Sequence, residues 1–156
     1  MKIIFLDIDG VLNVGGTRID SYGQSFQPEF VANLAKIIKE TEAEIVISST
    51  WRMSGLDVMR NMWRDRNLPG NVKGITPRLE SRIRGEEIKE WIKLTKDKVN
   101  IEKYVIFDDD DDMLVSQFPY FIQCSNLKDE DAIHGYGLTK RLAEKAIEIL
   151  NSNTDV

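Results

Sequence analysis

Cysteine and histidine are almost missing from this chain, with one of each, Cys124 and His134, in 156 residues. A single cysteine excludes an internal disulfide and a structural zinc site built on several thiolates. A single histidine excludes multi-histidine metal sites and two-histidine catalysis. Long apolar runs are missing too. Ile3–Leu6 ends in the charged Asp7, far short of the roughly 20 residues of a membrane helix or of a signal-peptide core. This predicts a cytoplasmic chain with no membrane partner. Positive charge is in deficit: 21 basic residues face 26 acidic ones, a net charge of −5. Coating nucleic acid through overall charge is therefore disfavoured, although a local basic patch is not. Internal repeats, low-complexity stretches and linkers are absent as well.

What is present has the make-up of one ordinary domain. The mass is 17.9 kDa, with 42% hydrophobic and 30% charged residues, which excludes a wholly disordered chain. Short β-branched runs alternate with helical stretches. Strands are predicted at Lys2–Leu6, Ala43–Ile47, Val72–Ile75, Tyr104–Phe107 and Tyr120–Gln123. Helices are predicted over Pro28–Thr41, about Ser54–Arg66, Arg84 to about Thr95 (apolar face Ile88, Trp91, Ile92 and Leu94), and a last one capped by Thr139. A frayed tail is expected over 151–156. Residues 11–27 are the least regular segment. The alternation points to βαβ units and a parallel sheet covered by helices on both faces. In such sheets ligands bind at the carboxyl ends of the strands.

The residues at those ends carry the chemistry. Asp7-Ile-Asp-Gly-Val-Leu follows the first strand, Ser48-Ser-Thr-Trp-Arg the second, and a run of five aspartates, Asp108–Asp112, the Tyr104 strand. Arg84-Gly-Glu-Glu opens a helix. Gathered at one edge, Asp7, Asp9, Asp108 and Asp109 would repel strongly unless a cation joined them. Mg²⁺, a hard ion with oxygen ligands, resolves this and leaves room for a phosphate. Ser48 supplies a hydroxyl and Arg84 a fixed cation, which suits phosphoryl transfer. Asp7 is the candidate nucleophile and Asp9 the candidate general acid. Arg52, just past Ser48, is expected near the phosphate.

In order and spacing, Asp7-x-Asp9-Gly10-Val11-Leu12, Ser48, Arg84 and Asp108-Asp109 resemble the haloacid dehalogenase (HAD) superfamily of phosphohydrolases, over roughly residues 1–125. Ser48-Ser-Thr-Trp-Arg, Thr76-Pro, Arg84-Gly-Glu-Glu-Ile and the aspartate run further resemble the branch of that superfamily associated with phage and bacterial RNA-repair proteins. The resemblance implies a three-layer Rossmann-like domain over residues 1–150, with no separate cap domain and an open site. It implies a phosphoaspartate at Asp7. Asp9 would protonate the leaving alcohol and then activate water. Mg²⁺ would be held by Asp7, the Asp9 carbonyl, and Asp108 or Asp109. Ser48, with Ser49 beside it, would hydrogen-bond the phosphoryl oxygens. Arg84 stands where the family more often has lysine, with Arg82 as a rival. The substrate would be a phosphorylated small molecule or a nucleic-acid end, and no stable protein partner can be inferred.

Each element has a plainer alternative. Asp7–Gly10 could be a simple turn. Ser48 and Ser49 could cap the following helix. Asp110 and Asp111 are expected in solvent, and Asp112 could bond the site from behind. His134 is expected on the surface, Cys124 buried, and Trp91 in the core. Residues 52–84 hold seven of the nine arginines plus Lys73, a local excess of five positive charges, accompanied by Trp51 and Trp63. This stretch is either a basic rim for a phosphate-rich substrate or a solvated face. A receiver-type phosphoacceptor and a non-catalytic nucleotide- or RNA-end-binding module are the competing functions. In a receiver, however, the acceptor aspartate follows the third strand rather than the first.

Overall fold

A computed structural model describes residues 1–15 and 18–153. Its central strand is β1 (Lys2–Leu6), paired in parallel on both sides, so that Phe5 lies opposite Val46 and Ile106. Between β1 and the first helix lies a short antiparallel pair, β2 (Ile19–Asp20) and β3 (Gly23–Gln24). Helix α1 (Pro28–Thr41) follows, with proline in its first turn, where a missing N–H costs nothing. Then come β4 (Glu44–Ile47), α2 (Leu56–Asp65), β5 (Val72–Ile75), α3 (Arg84–Thr95), β6 (Lys103–Asp108), β7 (Phe121–Gln123) and α4 (Lys140–Asn151). The main sheet is wholly parallel, in the order β5-β4-β1-β6-β7.

Period-two alternation builds the layers. Ile4, Leu6, Ile45, Ile47, Val105 and Phe107 face α1, α2 and α4, while Ile3, Phe5, Val46, Tyr104 and Ile106 face α3 through Ile88 and Trp91. Both faces of β1 are therefore dry, as its unbroken apolar sequence predicts. The chain runs outward from β1 to β4 and β5, then returns to β6 on the other side. The reversal leaves a crevice at the carboxyl ends of β1 and its neighbours.

The architecture is the expected three-layer α/β domain, and no separate cap domain is present among the described residues. Within the irregular segment, residues 19–24 instead form the β2–β3 hairpin, whose strands are too short to show a hydrophobic period. Thr50–Ser54 and Val115–Tyr120 form 3-10 turns. Leu94 corrects the predicted face of α3, for it is 63% exposed. At about 100° per residue it points well away from the Ile88–Trp91–Ile92 stripe. Cys124 and Trp91 are buried, and His134 is exposed, as predicted. Of the expected tail, Asn151 closes α4 and the Ser152 hydroxyl bonds back to the Ile149 carbonyl. Residues 154–156 lie outside the described residues.

Candidate active site

Asp7 leaves β1 with its N–H still donated to the Phe107 carbonyl at 3.0 Å. The chain then turns sharply, and the N–H groups of Val11, Leu12 and Asn13 all return to the Ile8 carbonyl. Gly10 makes the turn possible, with φ of +80°. A Cβ there would also lie 2.6 Å from Asp109 Oδ2, so the glycine admits the Asp109 carboxylate. Asp108 ends β6, and the carboxylates of Asp7, Asp108 and Asp109 can each place an oxygen within 4.8 Å of the others. Residues distant in the chain thus meet because β1 and β6 are sheet neighbours.

Electrostatics favours a cation here. Burial raises the pKa of the Asp7 carboxyl, with Arg84 opposing the rise and Asp109 adding to it. Burial raises that of Asp108 further, helped by the charge on Asp7. Asp108 Oδ2 is buried and takes part in no hydrogen bond among the described residues, although the Arg84 guanidinium stands 3.4 Å away. An orphaned carboxylate oxygen beside two further carboxylates suits a hard divalent ion such as Mg²⁺. The residues present fit that group.

Arg84 is the cation that faces this cluster. Its Nη1 lies 3.4 Å from both Asp7 Oδ1 and Asp108 Oδ2. Burial works against its charge, but Asp108, Asp7 and Asp112 outweigh that and hold the proton on. Arg82, the rival, is exposed. Asp112 sets the start of α3, accepting from the Arg84 N–H through Oδ2 at 2.9 Å and from the Gly85 N–H through its carbonyl at 3.0 Å. Gly85 is needed because a Cβ would meet Gln117 Oε1 at 2.5 Å and the Leu114 nitrogen at 2.6 Å. Asp110 and Asp111 are exposed, as expected.

At the end of β4 the Ser48 hydroxyl is fully buried and has no hydrogen-bond partner among the described residues, and the same holds for Thr76 Oγ1 just past β5. Two unspent donors at this edge are what a phosphoryl group would use. Ser49 takes the plainer role, its hydroxyl accepting from the Trp51 N–H at 3.2 Å to cap the 3-10 turn.

Arg52 requires a correction. Its guanidinium is buried and donates to the carbonyls of Thr76, Ser48, Ser49 and Pro77, and to Glu87 Oε2 at 2.8 Å. With its donors so committed, it braces the strand ends instead of contacting a phosphate. A tight turn of three residues carries Arg52 back beneath Ser49, a direction that closeness in sequence does not reveal.

Asp9 lies past the strand end and is exposed. The Trp51 indole N–H is shared between its two carboxylate oxygens at 3.1 Å each, and Asn13 Nδ2 donates to Oδ1 at 3.1 Å. Sequence reading missed both partners as supports of Asp9. Asn13 was detectable as a polar residue one tight turn after Asp9, whereas nothing local signals Trp51. A groove of about 290 Å³ runs from Asp9 along Ser21, Tyr22, Thr50 and Trp51.

Much of the basic stretch is structural. Arg60 donates to the Val72 and Lys73 carbonyls and Arg64 pairs with Asp65. Arg66 grips Asp20 through two nitrogens while lying 4.7 Å from the Phe26 ring centre. Arg78, Arg82 and Arg84 line a second groove of about 320 Å³.

No curated protein matches the chain. A family model described as the HAD domain in Swiss Army Knife RNA repair proteins matches residues 3–132. That span begins in β1, includes every element that brings the carboxylates, Ser48 and Arg84 together, and ends beyond β7. The chain therefore belongs to the family of HAD domains found in Swiss Army Knife RNA repair proteins.

Proposed function

We propose that this chain is a Mg²⁺-dependent phosphomonoesterase that works through a phosphoaspartate at Asp7, on nucleic-acid ends or nucleotides. The observation that carries this reading is the meeting of Asp7, Asp108 and Asp109 with Arg84 standing 3.4 Å from both Asp7 and Asp108. Asp7, the Asp9 carbonyl, and Asp108 or Asp109 would hold the ion, which when bound neutralises charge on the phosphoryl oxygens. Ser48 and Arg84 donate to those oxygens and orient phosphorus towards Asp7. An Asp7 oxygen forms a bond to phosphorus as the bond to the alcohol oxygen breaks, and Asp9 gives that oxygen a proton. Asp9 then takes a proton from water, whose oxygen displaces Asp7 from phosphorus and frees phosphate. Trp51 and Asn13 hold the Asp9 carboxylate for both steps. The family's RNA-repair setting supports nucleic-acid ends as substrates.

Purified chain should release many equivalents of phosphate from an aryl phosphate with Mg²⁺ and none in excess chelator. Asp7→Asn should lower turnover about a thousandfold or more. Turnover equal to the parent's would overturn the nucleophile. Release of a single equivalent would point to a phosphoacceptor domain instead.

A further inference from the structure

The groove beside Arg84 has a charge balance that hydrolysis of one phosphate does not need. Arg78, Arg82 and Arg84 line it with Thr50 and Met53. The two other charged residues in its wall, Arg52 and Glu87, are spent on each other at 2.8 Å. Arg84 turns towards Asp7 and Asp108. Among the described residues Arg78 has no carboxylate partner, its one polar contact being Met53 Sδ at 3.9 Å, and Arg82 has none either. The wall that presents them is fixed. The Leu79 N–H donates to buried Glu87 at 3.0 Å, and the Arg82 N–H closes a turn onto the Leu79 carbonyl at 3.1 Å with φ of +55°. Like charges lining one groove without a carboxylate to balance them repel, and an anion relieves that repulsion. A forked guanidinium pair matches phosphate oxygens.

We propose that the groove of Arg78 and Arg82 binds a second phosphate of the substrate, beside the one that is removed. This rests on the reading of Asp7, Ser48 and Arg84 as the phosphoryl site. It makes the preferred substrate a nucleoside carrying two phosphates, either a free bisphosphate or the terminal residue of a polynucleotide.

Binding tests it separately from turnover. In the Asp7→Asn chain with Mg²⁺, titration calorimetry should find adenosine 3′,5′-bisphosphate bound about tenfold or more tightly than the 3′- or 5′-monophosphate. Arg78→Gln with Arg82→Gln should erase that preference. Arg64→Gln removes a charge of the same basic stretch outside the groove and should keep it. Equal affinities in the starting chain, a preference that survives the double substitution, or one lost equally in Arg64→Gln would each overturn the proposal. A short oligoribonucleotide with a terminal phosphate distinguishes the two sources. A matching gain over the monophosphates assigns the second phosphate to a polynucleotide, and a gain confined to the bisphosphate assigns it to a free nucleotide. Absence of hydrolysis by the parent chain would sink the phosphatase reading and leave this binding result to stand or fall alone.

Discussion

At the scale of single residues, Ser48 and Glu87 show how differently two buried polar groups behave. The Ser48 hydroxyl is sealed from solvent with no partner, so its desolvation is uncompensated. Ser48→Ala should leave stability unchanged or raise it by up to about 1 kcal/mol in urea unfolding. The same substitution should lower kcat/KM for phosphoester hydrolysis about tenfold or more, because the hydroxyl's hydrogen bond is made only when phosphate is present. Glu87 is the reverse case. It closes an ion pair with Arg52 in which both side chains are nearly sealed from water. Glu87→Gln strands the guanidinium and should cost about 3–5 kcal/mol in the same assay. Asp7 and the aspartate run were legible in the sequence because strand ends fix where side chains emerge, and Arg84 because it opens helix α3. Arg52 was not, because a turn's direction depends on the carbonyls it finds.

At the scale of elements, the β2–β3 hairpin has almost no pairing of its own and is held from outside. Arg66, at the end of α2, clasps Asp20 and donates to the Gly23 and Gln24 carbonyls, and the Tyr22 hydroxyl donates to Asp65. The hydrogen bond from Arg66 pulls the Asp20 carboxyl from its ordinary 3.8 down to about 2. A carboxyl lowered on folding stabilises the fold above its unfolded value. That contribution disappears as pH falls through the folded value. The stability gap between the parent and Asp20→Asn should therefore be full above about pH 4 and close towards pH 2, read by unfolding at a series of pH values. The helices and long strands were legible from periodicity. The two-residue strands were not, since their order comes from an arginine three elements further on, at the end of α2.

At the scale of the whole molecule, the carboxylates of Asp7, Asp108 and Asp109 crowd together, and the proposed ion would relieve their repulsion. Mg²⁺ at a hundred times its dissociation constant should add about 2.7 kcal/mol to unfolding stability, seen as a rise in Tm. Asp109→Asn should blunt that rise, since Asp109 is the least buried of the three carboxylates and its loss opens no cavity in the core. The parallel sheet and its layers were readable from the alternation of runs, and the meeting of Asp7 with Asp108 and Asp109 from their places at the carboxyl ends of neighbouring strands. The trough on either side of the site was not, because its walls come from a hairpin and a loop with no period. β1 leads the sequence but sits between β4 and β6, so its second edge stays open until β6 arrives. During synthesis or refolding the proposed site, which needs Asp7 from β1 and Asp108 from β6, should form only once that last neighbour docks, so phosphate release should recover no earlier than the full sheet.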